Sequence, residues 1–270
     1  MRLGIGSYTF AWAIGVPGHP PARPMTAFDL LEATARLGVR LVQVCDNLPL
    51  PQLSPEQLEH FCARARELQI QVELGTLGLK PDNLRAYLKL AQRFQSPFVR
   101  VVVDSPGDKP TPDEIVNRLQ RLAAEYADQK VFLAIENHDR LRCGVLAEIV
   151  ERLGPDRVGI CLDTVNSFGS LEGPDVVVPT LAPYTLCLHA KDFTIRRVSH
   201  RMGFVLEGCP AGRGQLNLPW LLRQLEKSSH SFNVILETWV PPADTLDATI
   251  ERERAWTEAG KEYLRTLVAD

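Results

Sequence analysis

No two of the six cysteines form a CxxC pair, no apolar run reaches the roughly 18 residues that a bilayer span needs, and nothing repeats or falls into low complexity. Each absence removes a class of protein. Cysteines this scattered (Cys45, Cys62, Cys143, Cys161, Cys187, Cys209), in a chain of 270 residues, argue against the disulfide framework of a small secreted domain. Cys45, Cys161 and Cys187 lie inside apolar runs and read as small buried hydrophobes. Charge of one sign is also lacking: a formal net charge of -3 and a pI near 6.1 give no global field to attract nucleic acid or an anionic membrane surface. The opening MRLGIGSYTF is too short and too polar for a signal peptide, so a cytoplasmic protein is expected. No dinucleotide fingerprint follows the first apolar run, since GIGSYT lacks the G-x-G-x-x-G spacing.

What is present is an alternation. Hydrophobic content of 45% and charged content of 23% suit an ordinary globular protein with a sizeable core. Strand-like runs at 3–10, 40–46, 71–76, 97–104, 131–137, 157–163, 185–192 and 232–239 alternate with helical patterns at 25–39, 54–70, 81–94, 111–129, 144–153, 218–229 and 245–268. Thr26 reads as an N-cap, and Ser54 with Gln57 as a capping box. The segment EGPDVVVPTLAPY is broken by proline and reads as a short helix or none. Eight such units without a linker predict an α/β protein, one (β/α)8 TIM barrel domain over residues 1–270; a doubly wound sheet is the alternative. Long connections follow strands one (13–24), four (105–111) and seven (193–217). In a barrel all three lie on the C-terminal face, where active sites are built.

Four consecutive strands end in AIENHD, CLDTVN, CLHAKD and ILETW, which brings Glu136, Asp163, His189 and Glu237 to one mouth. A lone charge at the end of an apolar run is costly, so four in equivalent positions predict a ligand set. Three carboxylates and one imidazole suit one divalent ion, Mn²⁺ first with Mg²⁺ or Co²⁺ as alternatives, better than a structural zinc. Asn166, Lys191 and His138 lie close enough in sequence to orient these ligands or to touch substrate. Tyr8, Phe10 and Trp12 either shape a pocket or pack as core and lid.

These motifs, a GIGSYTF first strand, an ENH fifth, an LDTVN sixth, an HAKD seventh and a LET eighth, resemble the xylose isomerase-like TIM barrels along the full length. That family includes sugar isomerases, ketose 3-epimerases and related lyases. The resemblance implies that Glu136, Asp163, His189 and Glu237 bind one metal, and that Glu136 and Glu237 face each other across a small sugar or sugar acid as catalytic acid and base. Such a site stabilises an enediolate, formed when a proton leaves in an isomerase or epimerase, or when CO₂ leaves in a lyase. It is also compatible with a homo-oligomer, a dimer or tetramer. Abasic-site endonucleases share the barrel, but they need a histidine-rich, multi-zinc site and a basic face, and six histidines at pI 6.1 fit neither.

The stretch from Lys191 to Arg213 carries Lys191, Arg196, Arg197, Arg201 and Arg213 against Asp192 and Glu207, in a chain that is acidic overall. Two readings stand. Arg196, Arg197 and Arg201 with His200 bind an anionic group of the substrate, or they solvate a long loop and pair with a neighbouring subunit. The leading expectation is a metal-dependent isomerase or epimerase for a small anionic sugar derivative. The wording of this loop, with SYTFAWAIGVPGHP, is similar to the branch of the family that decarboxylates 3-oxo-isoapionate, which makes a carboxy-lyase the alternative.

Overall fold

The computed structural model describes residues 1–226, 228 and 230–268. Its described strands are β1 (Leu3–Gly6), β2 (Leu41–Val44), β3 (Gln71–Leu77), β4 (Phe98–Val102), β5 (Phe132–Glu136), β6 (Val158–Asp163), β7 (Thr185–Ala190), β8 (Asp192–Arg197), β9 (Phe204–Cys209) and β10 (Asn233–Leu236). Eight of them, all but β8 and β9, are parallel and close into a barrel in the order β1-β10-β7-β6-β5-β4-β3-β2. Closure rules out the doubly wound sheet. Helices cover the outside at each expected place, and the Thr26 cap and the Ser54–Gln57 box both form.

Several boundaries are set by the structure rather than by the sequence pattern. The first strand stops at Gly6, and Ser7–Phe10 turns into a 3-10 helix followed by the helix Ala11–Ile14. Side-chain hydroxyls compete with the ladder there: Thr9 Oγ1 accepts the Gly6 N–H and donates to the Leu236 carbonyl, while Ser7 Oγ accepts the Cys45 N–H. The proline-broken segment does form a helix, Pro174–Leu181, which buries Val177, Val178 and Leu181 although Pro179 lies inside it. The helix expected over 218–229 is Leu218–Leu225, and positions 227 and 229 fall outside the described residues. The C-terminal helix spans Leu246–Arg265.

The largest difference from expectation follows β7. The 193–217 connection contains the antiparallel pair β8 and β9, with Asp192 opposite Cys209 and Arg197 opposite Phe204. Its base is held by Asp192, whose buried carboxylate accepts the backbone N–H groups of Phe193, Gly212, Gly214 and Leu216 at 2.8 to 3.1 Å. Charged acceptors make the stronger hydrogen bonds, so this one residue fixes how the hairpin leaves the barrel. Gly208 fits because a Cβ there would lie 1.8 Å from the Trp239 carbonyl oxygen on the loop after β10.

The loop after β1 is tied to the C-terminal helix by Glu253, fully buried, which accepts the Trp12 and Ala13 N–H groups at 2.8 and 3.1 Å. Burial pushes its carboxyl up to about 7. A folded-state pKa above the unfolded value contributes stability below the unfolded pKa, and that contribution is lost as pH rises through the folded one. Between about pH 5 and about pH 8 the wild type should therefore lose stability relative to Glu253→Gln, which does not titrate. Urea unfolding at several pH values reads this, and parallel profiles would refute it.

Candidate active site

In a parallel barrel strands end on the same rim, so side chains at equivalent ends converge. Glu136 and Asp163 are the last residues of β5 and β6, His189 is next to last in β7, and Glu237 follows β10. His189 Nδ1 stands 3.6 Å from Glu136 Oε2, 3.9 Å from Asp163 Oδ2 and 3.5 Å from Glu237 Oε1, all four side chains being buried. The four residues singled out in the sequence thus form one cluster.

Each is oriented by neighbours. Asp163 Oδ1 accepts the backbone N–H groups of Val165 and Asn166, which turns Oδ2 inward. His189 Nε2 lies 2.6 Å from Gln43 Oε1, and Gln43 in turn donates to Glu73 Oε2 and Cys187 Sγ. With Nε2 committed, the ring faces the carboxylates through Nδ1, with a proton when charged and a lone pair when neutral. Burial disfavours the imidazolium, but Glu237 and then Glu136 outweigh it and hold the His189 pKa well above its ordinary value. Burial also pushes the Glu73 carboxyl up to about 8, so it sits beneath the site largely uncharged near neutrality.

Asp163 Oδ2, His189 Nδ1 and Glu237 Oε1 are buried without a hydrogen bond. Such atoms cost about 1–3 kcal/mol each if nothing answers them. Lys191 answers in part, its Nζ forming ion pairs with Asp163 Oδ2 at 2.7 Å and Glu237 Oε2 at 2.8 Å. Ligand atoms of Glu136, Asp163 and His189 lie within 4.8 Å of one another, with Glu237 Oε1 3.5 Å from the imidazole, a donor set that could hold a divalent cation.

Sequence reasoning missed Arg100. It projects inward from the middle of β4, almost fully buried, donates through Nε to Glu136 Oε2, and reaches Asp46 Oδ1 with Nη1 at 2.7 Å. Asp46 Oδ2 accepts the Tyr8 hydroxyl at 2.7 Å, and the guanidinium lies 5.8 Å from the Tyr8 ring centroid. Burial works to raise the Glu136 pKa, but Arg100 and then His189 hold it well below the usual carboxylate range. The signal was there: an arginine inside PFVRVVVD cannot be buried without a partner. Gln43 in LVQV and Glu73 in QVELG carried the same signal.

A cavity of about 460 Å³ opens above the cluster, and Tyr8, His138, Asn166 and Lys191 line it together with Arg100 and Glu136. Asn166 Nδ2 donates to Glu136 Oε1 at 2.8 Å, and half-exposed His138 lies 3.3 Å from Asp139. Phe10 packs in the core, and Trp12 donates its ring N–H to the Val240 carbonyl. The basic loop does not join them. Arg196 pairs with Glu207 across the hairpin, Arg197 donates to the Arg201 carbonyl and stacks 4.5 Å over Phe204, and His200 accepts the Met202 N–H. Arg196, Arg197, His200 and Arg201 line neither this cavity nor its neighbour, into which β9 sends Leu206 instead.

The sequence profile described as xylose isomerase-like TIM barrel matches residues 31–267. The chain belongs to the xylose isomerase-like TIM barrel family. Within that family it is 33% identical over 268 residues to a 3-oxo-isoapionate decarboxylase of Pectobacterium atrosepticum, covering 98% of this chain and 96% of the relative. Among solved structures it is similar in fold to D-psicose 3-epimerase of Clostridium cellulolyticum H10, solved with D-tagatose, at 15% identity and TM-score 0.71, with 99% of both chains covered. A xylose isomerase-like barrel of Mycobacterium smegmatis in complex with magnesium has 15% identity and TM-score 0.70, with 97% of each chain covered. No described helix is long and apolar enough to cross a membrane.

In this member of the family Arg100 is the cation that makes a buried Glu136 tolerable. Arg100→Met should destabilise the fold by about 3–5 kcal/mol, the cost of leaving a buried charge alone. Adding Glu136→Gln should recover part of that loss in chemical denaturation; no recovery would mean that the two side chains are not coupled.

Proposed function

We propose that this chain is a divalent-metal-dependent lyase that decarboxylates a small 3-oxo sugar acid. The reading rests first on Glu136. An epimerase or isomerase needs two carboxyl groups that exchange protons at carbon, and a useful base has a pKa near the working pH. Glu136 is a poor candidate, because Arg100 and Asn166 donate to its two oxygens and Arg100 keeps it ionised. Decarboxylation needs no base at carbon. The electron pair comes from the breaking C–C bond as CO₂ departs, moves toward the 3-oxo oxygen to give an enediolate, and a proton then returns to the same carbon. The full-length similarity to a 3-oxo-isoapionate decarboxylase agrees with this reading.

Asp163, His189 and Glu237 would hold the ion with Glu136, and Mn²⁺ is the first choice for this donor set, ahead of Mg²⁺ and Co²⁺. A divalent ion there would supply Lewis-acid polarisation of the substrate carbonyl. Glu237 is the carboxyl left to move a proton, since its Oε1 carries no hydrogen bond. Lys191 offsets the charge of Asp163 and Glu237 and lines the cavity where substrate would sit. Tyr8, through Asp46, holds Arg100 in place; burial and then Asp46 push its phenol up, so it remains a donor.

Purified protein given Mn²⁺ and a 3-oxo sugar acid should release one CO₂ per substrate, lose activity to a chelator and regain it with Mn²⁺. Deuterium uptake from solvent or interconversion of ketoses without CO₂ release would return the assignment to an epimerase or isomerase. Separately, Gln43→Leu should weaken Mn²⁺ binding by about 10- to 100-fold in calorimetry, because the His189 ring loses its outer partner. Unchanged affinity would remove His189 from the ligand set.

A further inference from the structure

The proposed substrate is an acid, yet the arginines of the hairpin do not reach the cavity. Four cationic side chains line it: Arg100, Lys109, Arg140 and Lys191. Three are engaged. Arg100 is bound to Glu136 and Asp46, Arg140 grips Asp104 through two hydrogen bonds at 3.0 and 2.6 Å, and Lys191 bridges Asp163 and Glu237. Lys109 is exposed and has neither a hydrogen bond nor an ion pair among the described residues.

Its backbone is held firmly although its side chain is free. Ser105 and Asp108 exchange both backbone hydrogen bonds at 2.9 Å around Pro106 and Gly107, whose φ of 78° suits glycine. Arg118 fixes the Asp108 carboxylate at 2.6 Å. Arg140 spans the site, binding Asp104 before Lys109 and donating to the Pro110 carbonyl after it at 2.8 Å. The stapled turn keeps one uncommitted ammonium at the rim of the candidate active site.

We infer that Lys109 captures the carboxylate of an incoming sugar acid. The assignment of the anion as substrate rests on the lyase reading, whereas the capture itself does not. A water-exposed ammonium attracts an anion and speeds its encounter, but screening keeps the final contact weak. That balance suits a carboxylate that must leave as CO₂, since tight pairing would stabilise the ground state and slow its loss. Lys109 therefore acts on substrate capture and selection and leaves the chemical step alone.

The test uses the Mn²⁺-loaded protein and a 3-oxo sugar acid. Lys109→Gln should raise KM by about five- to tenfold at low ionic strength with kcat within about twofold, and should flatten the rise of KM with salt. Lys109→Arg should restore KM. An unchanged KM at low salt, a fall in kcat alone, or no rescue by arginine would overturn the proposal. If no CO₂ is released by any form, the lyase reading fails while the capture site is still measurable. Wild type should then bind erythronate more tightly than neutral erythritol, and Lys109→Gln should lose that difference; equal preference in both proteins would overturn it.

Discussion

Buried negative charge at the mouth of the barrel is the constraint on which the rest of the structure depends. Glu136, Asp163 and Glu237 stand within 3.5 to 3.9 Å of one imidazole nitrogen and are shut away from water. Carboxylates so placed repel one another in a medium of low dielectric, and the energy of one uncompensated pair exceeds what a few hydrophobic contacts can return. The fold answers with Arg100 from below, Lys191 from above and His189 in the middle. Asp163 Oδ2, His189 Nδ1 and Glu237 Oε1 still lack hydrogen bonds, so the compensation by protein groups alone is incomplete.

That compensation reaches deep into the barrel. The interior of such a barrel is ordinarily layered with branched apolar side chains. Here Gln43, Glu73 and Arg100 take inward positions; Glu73 accepts from Asn233 and Gln43, and the link to the rim runs from Gln43 to His189 and from Arg100 to Glu136. Each polar group has a partner, so the network costs little and fixes the rotamers of the side chains above it. The same arrangement separates two carboxylates that look alike in sequence. Glu136 is gripped by an arginine and an amide, whereas Glu237 keeps one oxygen without a hydrogen bond.

The loops divide the remaining work. Asp192 gathers four backbone N–H groups and sets the hairpin beside the mouth, where Leu206 contributes an apolar wall. The turn after β4 is shorter and stapled by Arg118 and Arg140, and it carries Lys109 to the rim. The charge-rich loop is thus not the loop that presents charge to the cavity.

The barrel and the four converging strand ends were legible in the sequence, because alternation is a local signal and parallel strands of a closed sheet must end on one rim. The roles of Glu136, Asp163, His189 and Glu237 as neighbours followed from that rule alone. Arg100 was legible only as an anomaly, since its partners Glu136 and Asp46 are 36 and 54 residues away in the chain. The hairpin was hidden because pairing between 192–197 and 204–209 competes with loop conformations that local sequence does not rank. Which cations meet the cavity was decided by tertiary structure: strand pairing turned Arg196 toward Glu207, and closure of the barrel aimed Arg100 inward. Sequence determined which charges exist and at which strand ends they stand; only the packed fold determined which of them cancel.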